Sequence, residues 1–513
     1  MKIFKSILAA MLALTFMLSL VACDNGNSNT ATTTATKNEQ TTVNSNTTAT
    51  QANNKTTVAK KTDKLVVSTV SPLISRTKNK KGNASDSFVK SLKGYNLKVY
   101  YPWAPEAKGS VKELKESALA SQKAVEKEFG VTVTEDGKFD NYNDNLTASL
   151  TTKSANCQIY MVQDFNYASY FKNNYMTDLT QAMSKAAVDF KDPWYNQQAS
   201  SFFNVNYKQY AWIAYDAEYV FPYGIIYNKG LLKKAKLTDP ETLATQGKWT
   251  WDTLIKYAKK LNTTNTIGFG TVSTSLMLES MVHQKGSSLV NVKKGASPTA
   301  NLNNQTVKDC MSTLYKWCKN NEVCNTFSGK DWTYGKTQFA AGKVAMIFGT
   351  HDTIKSIGTN KNISDNFGVV QFPTPTATKT YTNMSVPQFA VFIPTQYKND
   401  AAKILFLRNE LYRQNYRYAQ RNFTYQWRRY FSEKEVLDYA CNMKYARGNN
   451  KTEFSWLDVC EDSSSKATIT KVIDTALKSS GNSVETAIGT YKDAIDKAFK
   501  KIWDGYRITG KNL

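Results

Sequence analysis

The side chains of this sequence that could do chemistry are aromatic rings, amides and carboxylates placed at the ends of apolar runs. Trp103 and Glu106 follow the run LKVYY at 97–101, and Gln163 and Asp164 follow QIYMV at 158–162. Glu218, Tyr219 and Tyr223 close the aromatic stretch KQYAWIAYDAEYVFPY at 208–223. Such a set suits a polar ligand held without covalent bonding: rings cover an apolar face, and planar polar groups exchange hydrogen bonds. There is no GxSxG, no HExxH and no phosphate-cradling glycine loop, so nucleophilic, zinc-hydrolytic and P-loop chemistry have no motif. His283 and His351 are the only histidines and no CxxC is present, so neither a metal nor a cofactor is expected. No enzyme activity is expected either. One catalytic alternative stays open, a surface glycoside hydrolase, because any two carboxylates can converge in a fold.

The elements that must carry these groups follow from the pattern. LKVYY reads as a strand that breaks at Pro102-Trp103-Ala104-Pro105. Ser110 with Glu113 makes a capping box for a helix with Val111, Leu114, Ala118, Val125 and Phe129 on one face. Gly130 ends it, and Val131–Val133 is the next strand. A second helix is predicted over Tyr142–Ser154, followed by a buried strand at 158–162. Strand, helix, strand, helix, strand predicts a parallel, doubly wound α/β sheet, and ligands of such sheets bind beyond the carboxyl ends of the strands. The stretch Lys208–Asp252 is predicted to carry the chain out of this unit. It passes Pro222, enters the apolar GIIYNKGLL, and starts a helix at KWTWD. There Thr250 is the cap, with Trp251, Leu254, Ala258 and Leu261 on one face. Val344–Phe348 is predicted as a short strand between Gly342 and Gly349, and another ends at Phe372 before Pro373 and Pro375. A length of 513 residues exceeds one core, so two lobes are expected.

The amino terminus has the form of an export signal. Lys2 and Lys5 precede the apolar run Ile7–Leu20, and Leu20-Val21-Ala22-Cys23 looks like a bacterial lipobox. In signals of that type the cysteine receives a diacylglycerol, and two acyl chains suffice for stable anchoring. The expected organisation is a signal at 1–22 and an Asn/Thr-rich tether at 23–63, with an unassigned lead-in at 64–94. The tether has almost no large apolar side chain and cannot bury a core. The chain carries a net charge of +24, which attracts polyanions. Its lysines are spread along the whole length and no recognition motif accompanies them, so nucleic acid is not expected as a partner. Anionic wall polymers and phospholipid head groups are the partners such a charge would meet at a bacterial surface, which leaves a basic wall-polymer adhesin as a further alternative.

Five segments together resemble the bacterial extracellular solute-binding proteins of family 1, the sugar-binding lipoproteins of ABC importers. They are LKVYYPWAPE, QIYMVQDFNYASYFKNNYMTDLT, YGIIYNKGLLKKAKLTDPETLATQGKWTWDTLIKYAKKL, FAAGKVAMIFGTHD, and FGVVQFPTPT with VPQFAVFIPTQYKNDAAKIL. The resemblance covers about 95–510. It implies a type II periplasmic-binding-protein-like fold: two α/β lobes, each a doubly wound mixed sheet flanked by helices, joined by hinge crossings. The implied crossings lie near Ala214–Tyr223 and Ser385–Pro394. The implied lobes are 95–218 with 389–425, and 219–388 with 426–513. The resemblance also implies a carbohydrate ligand, a membrane permease of an ABC importer as partner, membrane attachment through lipidated Cys23, and a monomer.

The same resemblance assigns roles. Asp164 stands where the maltose-binding branch has a sugar-binding Asp, and Trp103 is the implied stacking ring, with Glu106 and Gln163 beside them. Glu218, Tyr219 and Tyr223 fall in the first crossing, and Gln388 in the second. His351 stands where many relatives have an aromatic ring facing the ligand from the second lobe. Two residues depart from the pattern. Cys157-Gln158 replaces a frequent Pro-Asp, and Met161 replaces a stacking Trp of the maltose-binding branch, so the ligand need not be a malto-oligosaccharide. With Cys23 set aside, Cys157, Cys310, Cys318, Cys324, Cys441 and Cys460 remain. Outside the cytoplasm an even number permits disulfides, with Cys441–Cys460 and Cys318–Cys324 as plausible pairs; buried free thiols are the alternative.

Overall fold

In the computed structural model the described residues are 84–102, 112–138, 141–214, 223–293, 295–327, 329–331, 333–350, 353, 356, 366–386, 389–427, 451–461, 465–478 and 483–510. The signal, tether and most of the lead-in therefore lie outside the described residues, as does the proposed capping serine Ser110.

The first sheet grows from β1 (Asn96–Tyr101), α1 (Lys112–Phe129), β2 (Thr132–Gly137), α2 (Tyr142–Thr151) and β3 (Tyr160–Gln163). β1 and β2 run parallel along their full length, and Val99 bridges Ile159 in the same sense. Gly130 takes φ +62° to end α1, a conformation that suits a residue without Cβ. α3 (Asp164–Lys172) starts directly at the end of β3, and α4 (Thr180–Ala186) follows it. β1, α1, β2, α2 and β3 are the predicted elements in the predicted order; the sequence pattern does not anticipate α3 and α4.

The second sheet comprises β4 (Gly224–Asn228), β5 (Ile267–Thr271), β6 (Val344–Gly349) and β7 (Phe367–Gln371), in the order β7-β4-β6-β5. β4 is antiparallel to both its neighbours, and β5 and β6 are parallel. α5 (Trp251–Leu261) leads into β5, and α6 (Thr274–Gln284), α7 (Gln305–Cys318) and α8 (Tyr334–Ala340) link β5 to β6. The Thr250 side chain accepts from the Thr253 N–H, the expected cap. Trp249 Nε1 donates to the Gln371 carbonyl at 2.9 Å and Trp251 Nε1 to that of Pro373 at 2.9 Å. Two indoles thus hold the start of α5 on the end of β7.

The chain then returns. β8 (Thr382–Ser385) is followed by β9 (Phe389–Phe392), which pairs antiparallel with β3 in the first sheet. α9 (Ala401–Trp427) covers that sheet, β10 (Lys451–Phe454) pairs with β8, and α10 (Ile469–Lys478) and α11 (Val484–Trp503) end the described fold.

Burial alternates along the first sheet. Ile159, Met161, Phe389 and Val391 enter one apolar cluster with α1, α4 and α9, while Tyr160, Val162, Ala390 and Phe392 enter the other. β3 and β9 are covered on both faces and buried along their whole length, whereas β1 and β2 alternate buried residues with more exposed ones. The second cluster continues without a break into the core around β4–β7. The carboxyl-terminal segment joins the two: Trp503 stacks on Phe171 of α3 with ring centres 5.7 Å apart, and Ile508 bridges Val205. The apolar cores therefore divide at the first sheet and not between the sheets. A two-lobe reading of sequence does not anticipate this, because a distant terminal helix supplies the join.

Candidate functional site

The end of β3 is built to present polar groups. Gln163 is buried, is the last strand residue, and caps α3 with extended backbone. Its side-chain carbonyl accepts from the Asn143 amide. Asp164 opens α3 at 7% exposure, and its carboxylate accepts from the Phe165 N–H at 3.0 Å. A negative charge at a helix start is favoured by the free N–H groups there, and Asp164 makes further interactions in this buried position. An aromatic stack underlies the strand ends. Tyr142 lies 5.9 Å from Tyr100, nearly parallel, and Tyr100 lies 5.7 Å from Tyr160. The Tyr142 hydroxyl donates to the Met161 carbonyl at 2.8 Å and accepts from its N–H at 3.1 Å. Full burial pushes that phenol well above its ordinary range, so it stays protonated and donating.

The end of β1 is fixed by charge. The Tyr101 hydroxyl donates to Glu135 at 2.9 Å, and buried Arg408 stands 3.8 Å from the same carboxylate. The Arg408 guanidinium also covers the Tyr101 and Tyr412 rings, at 5.8 and 4.3 Å. Trp103, Glu106, Glu218, Tyr219, His351 and Gln388 lie outside the described residues.

Backbone pairing brings three chain points to one junction. Phe389 opposes Gln163, Met384 bridges Tyr223, and Gly349 opposes Gly224. Met384 and Phe389 are separated by residues that span at most about 17 Å when fully extended. The start of β4 and the end of β6 are therefore tied through this short connection to the end of β3, where Gln163 and Asp164 sit. Gly224 is required there, since a Cβ would stand 2.6 Å from the Val370 carbonyl oxygen. Tyr223 itself is turned inward. Its ring stacks on Phe348 at 5.3 Å and is 8% exposed, so packing accounts for its position.

Two polar residues were missed by sequence reasoning. Asn143 Oδ1 and Asn166 Nδ2 are buried atoms without a hydrogen-bond partner among the described residues. Asn143 lies in the first turn of α2 and binds Gln163; Asn166 lies in the first turn of α3. Their positions just after strand ends could have marked them. Among the described residues no cluster of His, Cys, Asp and Glu could hold a metal. Of the cysteines, Cys157, Cys310, Cys318, Cys324 and Cys460 are free thiols, and Cys441 lies outside the described residues. The buried-thiol alternative thus describes the reduced chain.

These features define a binding scaffold of two mixed α/β sheets with polar groups at the strand ends of their junction. The chain belongs to the bacterial extracellular solute-binding protein family, whose model matches residues 108–408. No curated protein matches the sequence. Solved structures are similar to it in fold. An ABC substrate-binding protein of Listeria monocytogenes, solved with cycloalternan, shares 16% identity at a TM-score of 0.53, covering 79% of this chain and 99% of its own. The GacH receptor of Streptomyces glaucescens, solved with acarbose, shares 16% identity at 0.53, covering 80% and 99%. The maltotriose-binding protein of Thermus thermophilus shares 14% identity at 0.50, covering 78% and 99%. The fold is the two-lobed type II periplasmic-binding-protein-like fold.

Proposed function

We propose that this protein captures a carbohydrate, of oligosaccharide size, between its two lobes and delivers it to the permease of an ABC importer. The observation that carries this reading is the junction itself. The Asp164 carboxylate and Gln163 amide lie at the end of β3, which the short β8–β9 connection ties to the start of β4 and the end of β6, in a chain of the solute-binding family. Carboxylates and amides of fixed direction match sugar hydroxyls, and the printed ligands of the similar structures include cycloalternan, acarbose and maltotriose. The lobes are 95–218 with 389–425, and 219–388 with 426–513. Trp103 and Glu106 join Asp164 from the first lobe and His351 from the second, with Glu218, Tyr219, Tyr223 and Gln388 at the crossings. Contacts from both lobes would exist only when closed, which is what lets a ligand drive closure. The chain acts without turnover, as a monomer. It is tethered outside the cytoplasmic membrane through diacylglyceryl-Cys23. No helix among the described residues is long and apolar enough to cross a membrane.

The test is intrinsic tryptophan fluorescence and thermal melting of the protein against neutral and acidic oligosaccharides. A saturable hit without product is expected, and Asp164→Ala should weaken it at least tenfold, about 1.4 kcal/mol. Product release would instead identify a hydrolase. Salt-sensitive binding of wall polymer with no sugar response would identify an adhesin.

A further inference from the structure

The turn that follows α7 folds back on the end of the helix. Asn320 and Asn321 take φ +53° and +56° in succession, a left-handed reversal that Asn tolerates better than most side chains. The reversal returns the chain to Trp317, whose carbonyl accepts from the Val323 N–H at 3.1 Å and the Cys324 N–H at 2.9 Å. Cys318 follows Trp317 directly, so these two hydrogen bonds bring the backbones of Cys318 and Cys324 beside one another; the Cys324 thiol donates to the Asn325 carbonyl at 4.0 Å, and burial, then neighbouring Cys318, hold it well above its ordinary range. Cys324 is fully buried and Cys318 is partly exposed. The next residue, Asn325, is pinned to the edge of β5: its N–H donates to the Phe269 carbonyl at 2.9 Å, and its carbonyl accepts from Thr271 at 3.0 Å. Phe327 then packs against Gly270 and Gly335, where any Cβ would stand 2.5 Å from its ring. The turn therefore ties α7 to the sheet edge that leads into α8 and β6.

We propose that Cys318 and Cys324 are an oxidisable pair that forms a structural disulfide closing the loop 318–324. It rests on the extracytoplasmic placement given above only for where the oxidant is met; the pairing itself is a property of the fold. The oxidant is a disulfide, such as oxidised glutathione or an exchange enzyme. Partly exposed Cys318, as thiolate, attacks one sulfur of it and expels a thiolate. The Cys324 thiolate then attacks the Cys318 sulfur and expels the second. The two protein thiols lose two protons, and their two electrons reduce the oxidant disulfide to two thiols. The other described cysteines lack such a neighbour in contact. The bond would add to the hydrogen bonds and the core packing of Val323 and Cys324 that hold this turn, and would constrain the unfolded chain.

The test uses the full chain, purified reduced and incubated folded with oxidised glutathione, then blocked with an alkylating agent and mapped by mass spectrometry. The expected product is lighter by two hydrogen atoms, with the bond assigned between Cys318 and Cys324. A stable glutathione adduct on Cys318, or two unmodified thiols, overturns the proposal, wherever the protein resides in the cell. Melting gives a second readout. The oxidised wild type should melt a few degrees above the reduced one, and Cys318→Ser with Cys324→Ser should abolish that difference. An equal response to reductant in both proteins overturns the assignment as well.

Discussion

At the residue scale, the chain positions a few charges by burying them. Asp164 opens a helix while buried, and Arg408 stands beside Glu135 among aromatic rings. Asp192 shows the opposite treatment. Burial, then the neighbouring Asp189 charge, raise its carboxyl to about 6, although the Asp189 hydrogen bond and Arg413 oppose the shift. A carboxyl raised above its unfolded value of 3.8 binds more protons when folded. Its contribution to stability is complete below that value and is lost as pH rises through about 6. Asp192→Asn should therefore raise the melting midpoint at pH 7.5 and have little effect near pH 4. The check is the difference between mutant and wild-type midpoints across that range. A difference that does not shrink on acidification would show that Asp192 titrates normally.

At the element scale, helix-to-sheet contacts are set by small residues. In β5 a Cβ on Gly268 would lie 1.9 Å from the Ala258 carbonyl oxygen and 3.0 Å from the Asn262 nitrogen. α5 can rest there only because the strand has no side chain at that point. Gly268→Ala should push the helix off the sheet and cost about 1–3 kcal/mol, read as a lower denaturant midpoint. A midpoint equal to wild type would mean that α5 can shift freely. The indoles of Trp249 and Trp251 argue against such freedom, since both are hydrogen-bonded to the end of β7.

At the scale of the whole molecule, two sheets meet where β8 passes into β9, and the carboxyl-terminal helices pack on both sides of that meeting. A ligand held from both sheets should stabilise the closed form. At one hundred times its Kd the gain is about 2.7 kcal/mol, and small-angle scattering should show a smaller radius of gyration with ligand than without. An unchanged radius would remove closure from the mechanism. The net charge of +24 acts separately. Attraction to anionic vesicles should fall steeply as salt rises, whereas affinity for a sugar in an enclosed site should change little.

The sequence by itself determined much of this protein through local rules. Periodicity and caps located α1, β1, β2, α5 and β6 within a few residues, because Gly130, Thr250 and Gly349 punctuate the chain where the structure also breaks. The spacing of five segments carried the family, and the strand ends pointed to Gln163 and Asp164. Tertiary structure alone decided the rest. Strand order and direction in the second sheet, with β4 antiparallel between β6 and β7, depend on pairing between segments more than a hundred residues apart. The inward turn of Tyr223 was hidden for the same reason, since its partner Phe348 is remote in sequence. So was the burial of Asn143 Oδ1 and Asn166 Nδ2 without a hydrogen-bond partner among the described residues, although the positions of the two residues after strand ends were legible. The continuous core was hidden too: the stacking of Trp503 on Phe171 forms only when the two ends of the chain meet, and nothing local to either residue encodes it.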